Sequence, residues 1–149
     1  MSDKYEDANL ILKLYDLRRE EVMRKARNWY IQEFNPESLQ ELSDVMMSDK
    51  SAYFRMVATY WDMAASLVNH GAIDEQMFAD ANMEHVVVFA KIEPFIAEAR
   101  STFGAQNYLE NLEKLVTRRH DKEFLGMLRA RFKQFAAMRA EAAAKAQAG

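Results

Sequence analysis

The chain has 149 residues, of which 50% are hydrophobic and 29% charged, with a formal net charge of −3 and no cysteine. This length supports one domain with a hydrophobic core, and the composition argues against wholesale disorder. The absence of cysteine excludes disulfides, thiol catalysis and cysteine-ligated metals.

The N-terminal segment begins with charged residues, and its apolar run is short and broken by Lys13 and Asp16. It has neither the pattern of a signal peptide nor the length of a membrane-spanning helix. We therefore expect a soluble, cytoplasmic protein with no membrane partner.

Charge is distributed unevenly along the chain. Residues 35–113 carry four basic and thirteen acidic side chains, whereas residues 114–149 carry nine basic and three acidic ones. Two interpretations stay open: the two regions face each other, within the chain or across a dimer, or the basic end binds an acidic partner.

The first predicted helix runs from Asp7 to Phe34, because apolar residues recur there at three-, four- and seven-residue spacings. The run "FNPESL" then predicts a stop and a new start, with Asn35 as N-cap and Pro36 in the first helical position. A short helix should extend from there to about Met47.

The next predicted helix spans 51–70. The run "YWDMAASLVNHGAIDEQMF" ends this helix and contains two aspartates and a histidine around one glycine. We interpret it as a turn between helices and not as a metal site, because Gly71 suits the left-handed position after a helix end and Asp74 suits the next N-cap. A short helix over about 75–80 should come next.

A further helix should span about 82–102, with a kink or break at Pro94. Asn107 and Glu110 resemble a capping box for the helix after it. Asp121 suits the N-cap of the last helix.

These elements predict an all-α fold, a single-domain bundle of about six helices over residues 1–140. Residues 141–149 are rich in alanine and have almost nothing apolar to bury, so we expect a frayed extension of the last helix. The β-like run "VVVF" lies in helical surroundings and is interpreted as buried helix.

Familiar catalytic and metal-binding patterns are missing from the sequence. The chain has no Glu-x-x-His pair, no His-Glu-x-x-His, no Gly-x-Ser-x-Gly and no glycine-rich phosphate loop. We therefore predict no cofactor, no metal and no catalytic residue. Nucleic acid is not an expected partner, because the helix after Gly71 carries acidic side chains and no Lys or Arg.

Glu93 is a carboxylate that helical spacing places on the same side as Phe89 and Ile96. A partly buried carboxylate needs a partner or a shifted pKa, and either can mark a site. The simpler interpretations are a structural ion pair, with Arg100 or Arg55, or a side chain that turns into solvent.

Three segments in order, "LYDLRREEVMRKARNWYIQEF", "YWDMAASLVNHGAIDEQMFADA" and "AEARSTFGAQNYLENLEKLV", carry a resemblance to a known family. Over residues 14–116 the chain resembles a family of uncharacterised bacterial all-α proteins, a domain of unknown function. The shared features are the Trp61–Asp62 pair, a Gly-x-Ile-Asp turn and Arg100 about a helix later. The resemblance implies the fold and no activity, and it suggests an Asp62–Arg100 ion pair between central helices.

The sequence supports two functional hypotheses. The first is a non-enzymatic helical scaffold or interaction module, a homodimer formed through methionine-rich or aromatic helix faces. The alternative is a small-ligand-binding protein or cryptic enzyme, with a pocket near Trp61, Asp62, Glu93 and Arg100.

Overall fold

The computed structural model describes residues 3–149, and this part of the chain is all-α and contains no strand. Its nine α-helices and one 3-10 turn are, in order, α1 (Lys4–Leu17), α2 (Glu21–Gln32), α3 (Leu39–Met46), α4 (Ser51–Asn69), α5 (Glu75–Ala81), α6 (Glu84–Ile92), the 3-10 turn (Glu93–Phe95), α7 (Ile96–Phe103), α8 (Glu110–Arg119) and α9 (Lys122–Ala148). The all-α prediction is confirmed, and the helices outnumber the six that were predicted.

The predicted long helix from Asp7 to Phe34 is wrong, because α1 ends at Leu17 and α2 begins at Glu21. The Glu20 carboxylate accepts hydrogen bonds from the backbone N–H groups of Val22 (3.0 Å) and Met23 (2.9 Å). Glu20 thus caps α2 although it is not a usual N-cap residue.

The start of α3 also differs from the prediction. The N-cap is Ser38, not Asn35, since its hydroxyl accepts from the Glu41 N–H at 3.1 Å. Glu41 reaches back to the Glu37 N–H, so two N–H groups at this helix end are satisfied by one pair of side chains.

Several predicted turns are confirmed. Gly71 has a φ of 80°, and the Asp74 carboxylate accepts from the Met77 N–H as an N-cap. Asp121 caps α9 in the same way. Pro94 lies in the 3-10 turn that separates α6 from α7, so the predicted interruption is a full break.

The core is built around α4 and α6. The residues of α6 from His85 to Ile92 are all buried, because α4, α8 and α9 pack around this helix. α4 packs in turn against α2 and α8. Where α2 ends, the rings of Tyr30, Phe34 and Phe54 lie 4.8–6.1 Å apart and close one end of the core.

α9 is the longest helix and leaves the body of the protein before it ends. Its first half buries Leu125 and Leu128 against α6, whereas all residues from Ala137 onward are exposed. The helix continues to Ala148, and the predicted fraying of residues 141–149 stays a prediction.

Candidate functional site

Trp61 lies in the core and is joined to a polar cluster between α2, α4 and α6. Its indole N–H donates to the Glu84 carboxylate at 2.9 Å, and the Arg27 guanidinium binds the same carboxylate from α2 at 2.9–3.2 Å. Arg27 also donates to the Arg18 carbonyl at 3.0 Å, which fixes the α1–α2 corner. The partners of Glu84 are therefore all structural, and the cluster locks three helices together.

The outer edge of this cluster is formed by Arg18. Its guanidinium lies over the rings of Tyr15 and Trp61, 4.9 and 5.4 Å from their centroids, as cation–π contacts require. Arg18 Nη1 is buried and has no hydrogen-bond partner within residues 3–149. The Tyr60 hydroxyl donates to the Leu14 carbonyl beside it, and burial raises the pKa of Tyr60.

Asp62 supplies a cap that α8 lacks. The N-cap residue of α8, Leu109, is apolar and has a left-handed φ of 55°, so it offers no capping side chain. The Asp62 carboxylate, on α4, accepts from the Leu112 N–H at 2.9 Å. The predicted capping box of Asn107 with Glu110 is wrong, because this cap comes from another helix.

Arg100, on α7, also binds the start of α8. It donates to the Tyr108 carbonyl and to the Glu113 carboxylate, both at 2.9 Å. The suggested Asp62–Arg100 ion pair does not form among the described residues. The two side chains instead anchor the start of α8 separately.

Glu93 pairs with neither Arg100 nor Arg55. It lies 3.4 Å from Arg129 on α9, and Arg129 also donates to the Ala90 carbonyl at 2.8 Å. The four side chains proposed for a ligand pocket, Trp61, Asp62, Glu93 and Arg100, thus meet four different partners. Each is held by its own protein partner, and a ligand pocket near these four side chains stays a prediction.

Lys91 is a buried cation that the sequence pattern did not reveal. Its ammonium group donates to the carbonyls of Tyr30 (2.8 Å), Ile31 (2.9 Å) and Phe34 (2.9 Å), where α2 ends. Burial lowers the pKa of Lys91 to about 7, while three carbonyls at the negative end of a helix favour the charged form. All three N–H donors are occupied, so Lys91 is a helix cap and not a free nucleophile. Only its position inside an apolar helix run could have signalled it.

His85 is buried between the rings of Trp61 and Phe78, at 5.7 and 4.9 Å between centroids. Burial lowers its pKa to about 4, so the ring is neutral at pH 7. His120 lines the same cavity, whose volume is about 150 Å³. In the described part of the chain, no group of three or more His, Asp or Glu side chains could hold a metal ion.

The outer side of α1 carries large apolar side chains in a stripe. Tyr5 (84% exposed), Leu12 (63%) and Tyr15 (48%) share one face at seven- and three-residue spacings. We call these three residues the α1 stripe. α1 also buries Ile11 and Leu14, so this helix carries apolar side chains on its buried side as well as on its exposed side.

A second apolar surface lies where α1 ends. A shallow groove of about 410 Å³ is lined by the apolar side chains of Leu17, Met23, Met56, Tyr60 and Met63. Methionine adapts its shape to different neighbours, which suits a surface that packs against another molecule. Within residues 3–149 the chain therefore has two candidate interfaces, the α1 stripe and this groove.

A family model matches residues 5–119, which extend from the first turn of α1 to the end of α8. The chain belongs to the family described as Domain of unknown function (DUF4760). The match confirms the predicted membership of an uncharacterised family and extends beyond the predicted residues 14–116. Comparison with curated proteins and with solved structures finds no match.

The DUF4760 match covers Glu84 with its partners Arg27 and Trp61, the residues Asp62 and Arg100 that hold the start of α8, and the α1 stripe. Helix α9 lies outside the match. Glu93 is inside the matched region and its partner Arg129 is outside. The family description assigns no role to any of these residues. In residues 3–149, moreover, no helix combines the length and the apolar character that crossing a bilayer requires.

Proposed function

We propose that this chain is a non-enzymatic helical interaction module that forms a homodimer through the α1 stripe. The observation that carries the proposal is the exposure of Tyr5, Leu12 and Tyr15 on one helix face. Large apolar side chains that share one exposed face are a feature of protein–protein interaction sites.

Self-association is favoured over an unrelated partner by the charges that border the stripe. Exposed charges of both signs, Lys13 and Asp16, lie beside the stripe on the same helix. When the stripe packs against a second copy, Lys13 of one chain can therefore lie close to Asp16 of the other. A twofold axis makes such pairing reciprocal. A non-enzymatic role is supported by the charged side chains of the interior. Glu84, Asp62 and Lys91 each hydrogen-bond to groups that hold helices in place.

Sedimentation velocity on the intact chain and on Leu12→Glu tests the proposal. We expect the intact chain at twice the mass of one chain, and Leu12→Glu to weaken dimerisation by at least about a hundredfold, since an unpaired carboxylate would be buried. Met47→Glu is the matched control, because Met47 is 89% exposed and lies away from α1. A monomer for the intact chain, or an equal effect of both variants, contradicts the proposal.

A further inference from the structure

A cleft of about 340 Å³ lies between α3, the first two turns of α4, α7 and the turn after α7. Its apolar walls are Met46, Ala99, Phe103 and Ala105. The volume is at the lower end of the roughly 300–1,000 Å³ of ligand pockets, which selects a short ligand over a long one. The α1 stripe takes no part in this cleft, so binding in the cleft is independent of dimerisation through the stripe.

Three side chains bring hydrogen-bond donors to these apolar walls, namely Ser51, Arg55 and Tyr108. Ser51 and Arg55 are four residues apart on α4 and so share a face. Within residues 3–149, none of the three side chains donates a hydrogen bond or joins an ion pair. Outside the helix ladder, Arg55 bonds only through its backbone carbonyl, and Tyr108 bonds only through its backbone carbonyl and N–H.

The residues that line the cleft include one cation and no carboxylate. Arg55 is the one charged residue among those that line it. α4 begins here, with Lys50 as an N-cap that provides no side-chain hydrogen bond and no acidic residue in the first turn. The helix dipole therefore adds to the positive potential of the guanidinium. Burial raises the pKa of Tyr108 to about 12, so its hydroxyl is a neutral donor at pH 7.

We propose that this cleft binds a small carboxylate with a short apolar tail. Arg55, Ser51 and Tyr108 receive the carboxylate, and the tail lies against Met46 and Phe103. A planar guanidinium matches the two oxygens of a carboxylate, and one cation balances one negative charge. A phosphate ester fits less well, because its second charge has no further cation among the lining residues.

Octanoate is the probe, with 1-octanol as its uncharged counterpart. Isothermal titration calorimetry should show saturable octanoate binding with a Kd below about 1 mM and clearly weaker binding of 1-octanol. Spectra of ¹³C-methyl methionine locate the site, since Met46 lines the cleft and its neighbour Met47 is exposed. Octanoate should shift the Met46 methyl signal and leave that of Met47 in place.

Arg55→Gln should weaken octanoate binding about tenfold or more, because a charge-assisted hydrogen bond is lost. Tyr108→Phe should weaken it less. Arg24→Gln, which removes an exposed arginine on α2, should leave it unchanged. Circular dichroism confirms that each variant is folded. The proposal is overturned if octanoate does not bind saturably, if 1-octanol binds equally well, or if Arg55→Gln has no larger effect than Arg24→Gln.

Discussion

His85 is a buried histidine that should make stability depend on pH. Its pKa is about 4 in the folded chain, against 6.5 for an unperturbed ring. Between these values the unfolded chain binds one more proton than the folded chain, so the free energy of unfolding falls as pH falls from 6.5 to 4. Above pH 6.5 both states are neutral at this site, and its contribution is constant.

His85→Leu should remove this pH dependence while keeping an apolar side chain between Trp61 and Phe78. Urea unfolding at pH 7 and at pH 4 measures the effect. Between these two pH values, the free energy of unfolding of the intact chain should fall by about 3 kcal/mol more than that of the variant. His70→Leu is the control, since His70 is exposed at the end of α4. If both variants keep the dependence of the intact chain, burial of His85 is not its source.

Lys91 shows how a residue of the wrong polarity for a core is accommodated there. Four methylene groups pass through apolar surroundings, and the ammonium lies 5.4 Å from the centroid of the Phe132 ring. Two of the three carbonyls that it binds, those of Tyr30 and Ile31, are among the C-terminal carbonyls of α2 that no helical N–H can reach, and the third, that of Phe34, follows the helix end. The buried charge and the buried helix end thus satisfy each other.

At the scale of elements, α8 depends on two other helices for its first turn. Leu109 adopts a left-handed conformation that is unfavourable for a residue with a side chain, by roughly 1–2 kcal/mol. Asp62 and Arg100 bind the N–H and carbonyl groups on either side of it. The turn is therefore held by tertiary contacts and not by its own sequence.

Asp62→Ala should lower the free energy of unfolding by about 1–2 kcal/mol, as expected for the loss of an N-cap. Asp62→Asn should lower it less, because an amide oxygen still accepts from Leu112 while the charge at the helix dipole is lost. Urea titrations measure both. Asp16→Ala is the control, since Asp16 is an exposed aspartate on α1. An effect of Asp62→Ala no larger than that of Asp16→Ala would show that α8 needs no external cap.

The elements that the sequence predicts well are those whose signals are local. Gly71 followed by Asp74 ends one helix and starts the next, and Pro94 removes an N–H within a helical run. The break at Glu20 has no such local signal, because glutamate is an unusual N-cap. The partners of Asp62 and Glu93 lie 50 and 36 residues away along the chain, and spacing within one helix contains no information about them.

At the scale of the whole molecule, the basic C-terminal region pairs with the acidic middle of the same chain. Arg118 binds Glu75 at 2.8 Å, Arg129 lies 3.4 Å from Glu93, and Lys133 binds Glu37 at 2.7 Å. These pairs support the interpretation that the two charged regions face each other within the chain. They also place the last contact of α9 with the body near Lys133, well before the helix ends.

We propose that residues 1–140 fold as one domain and that residues 141–149 add almost nothing to its stability. Beyond Ala137 the helix is exposed, and its one ion pair, Lys145 with Glu141 at 3.4 Å, is internal to the segment. A short helix without packing is marginal in water. Deleting 141–149 should change the free energy of unfolding by less than about 0.5 kcal/mol and leave one cooperative transition.

Deleting 129–149 is the matched comparison. This deletion also removes Arg129, the partner of Glu93, and Phe132, whose ring lies next to the Lys91 ammonium. It should therefore lower the free energy of unfolding by about 2 kcal/mol or more. Hydrogen exchange on the intact chain adds a second readout, since amides after 140 should exchange nearly as fast as in an unfolded peptide. Equal losses for the two deletions, or slow exchange in 141–149, would mean that the end of α9 packs against something, and a second copy of the chain would then be the first candidate to test.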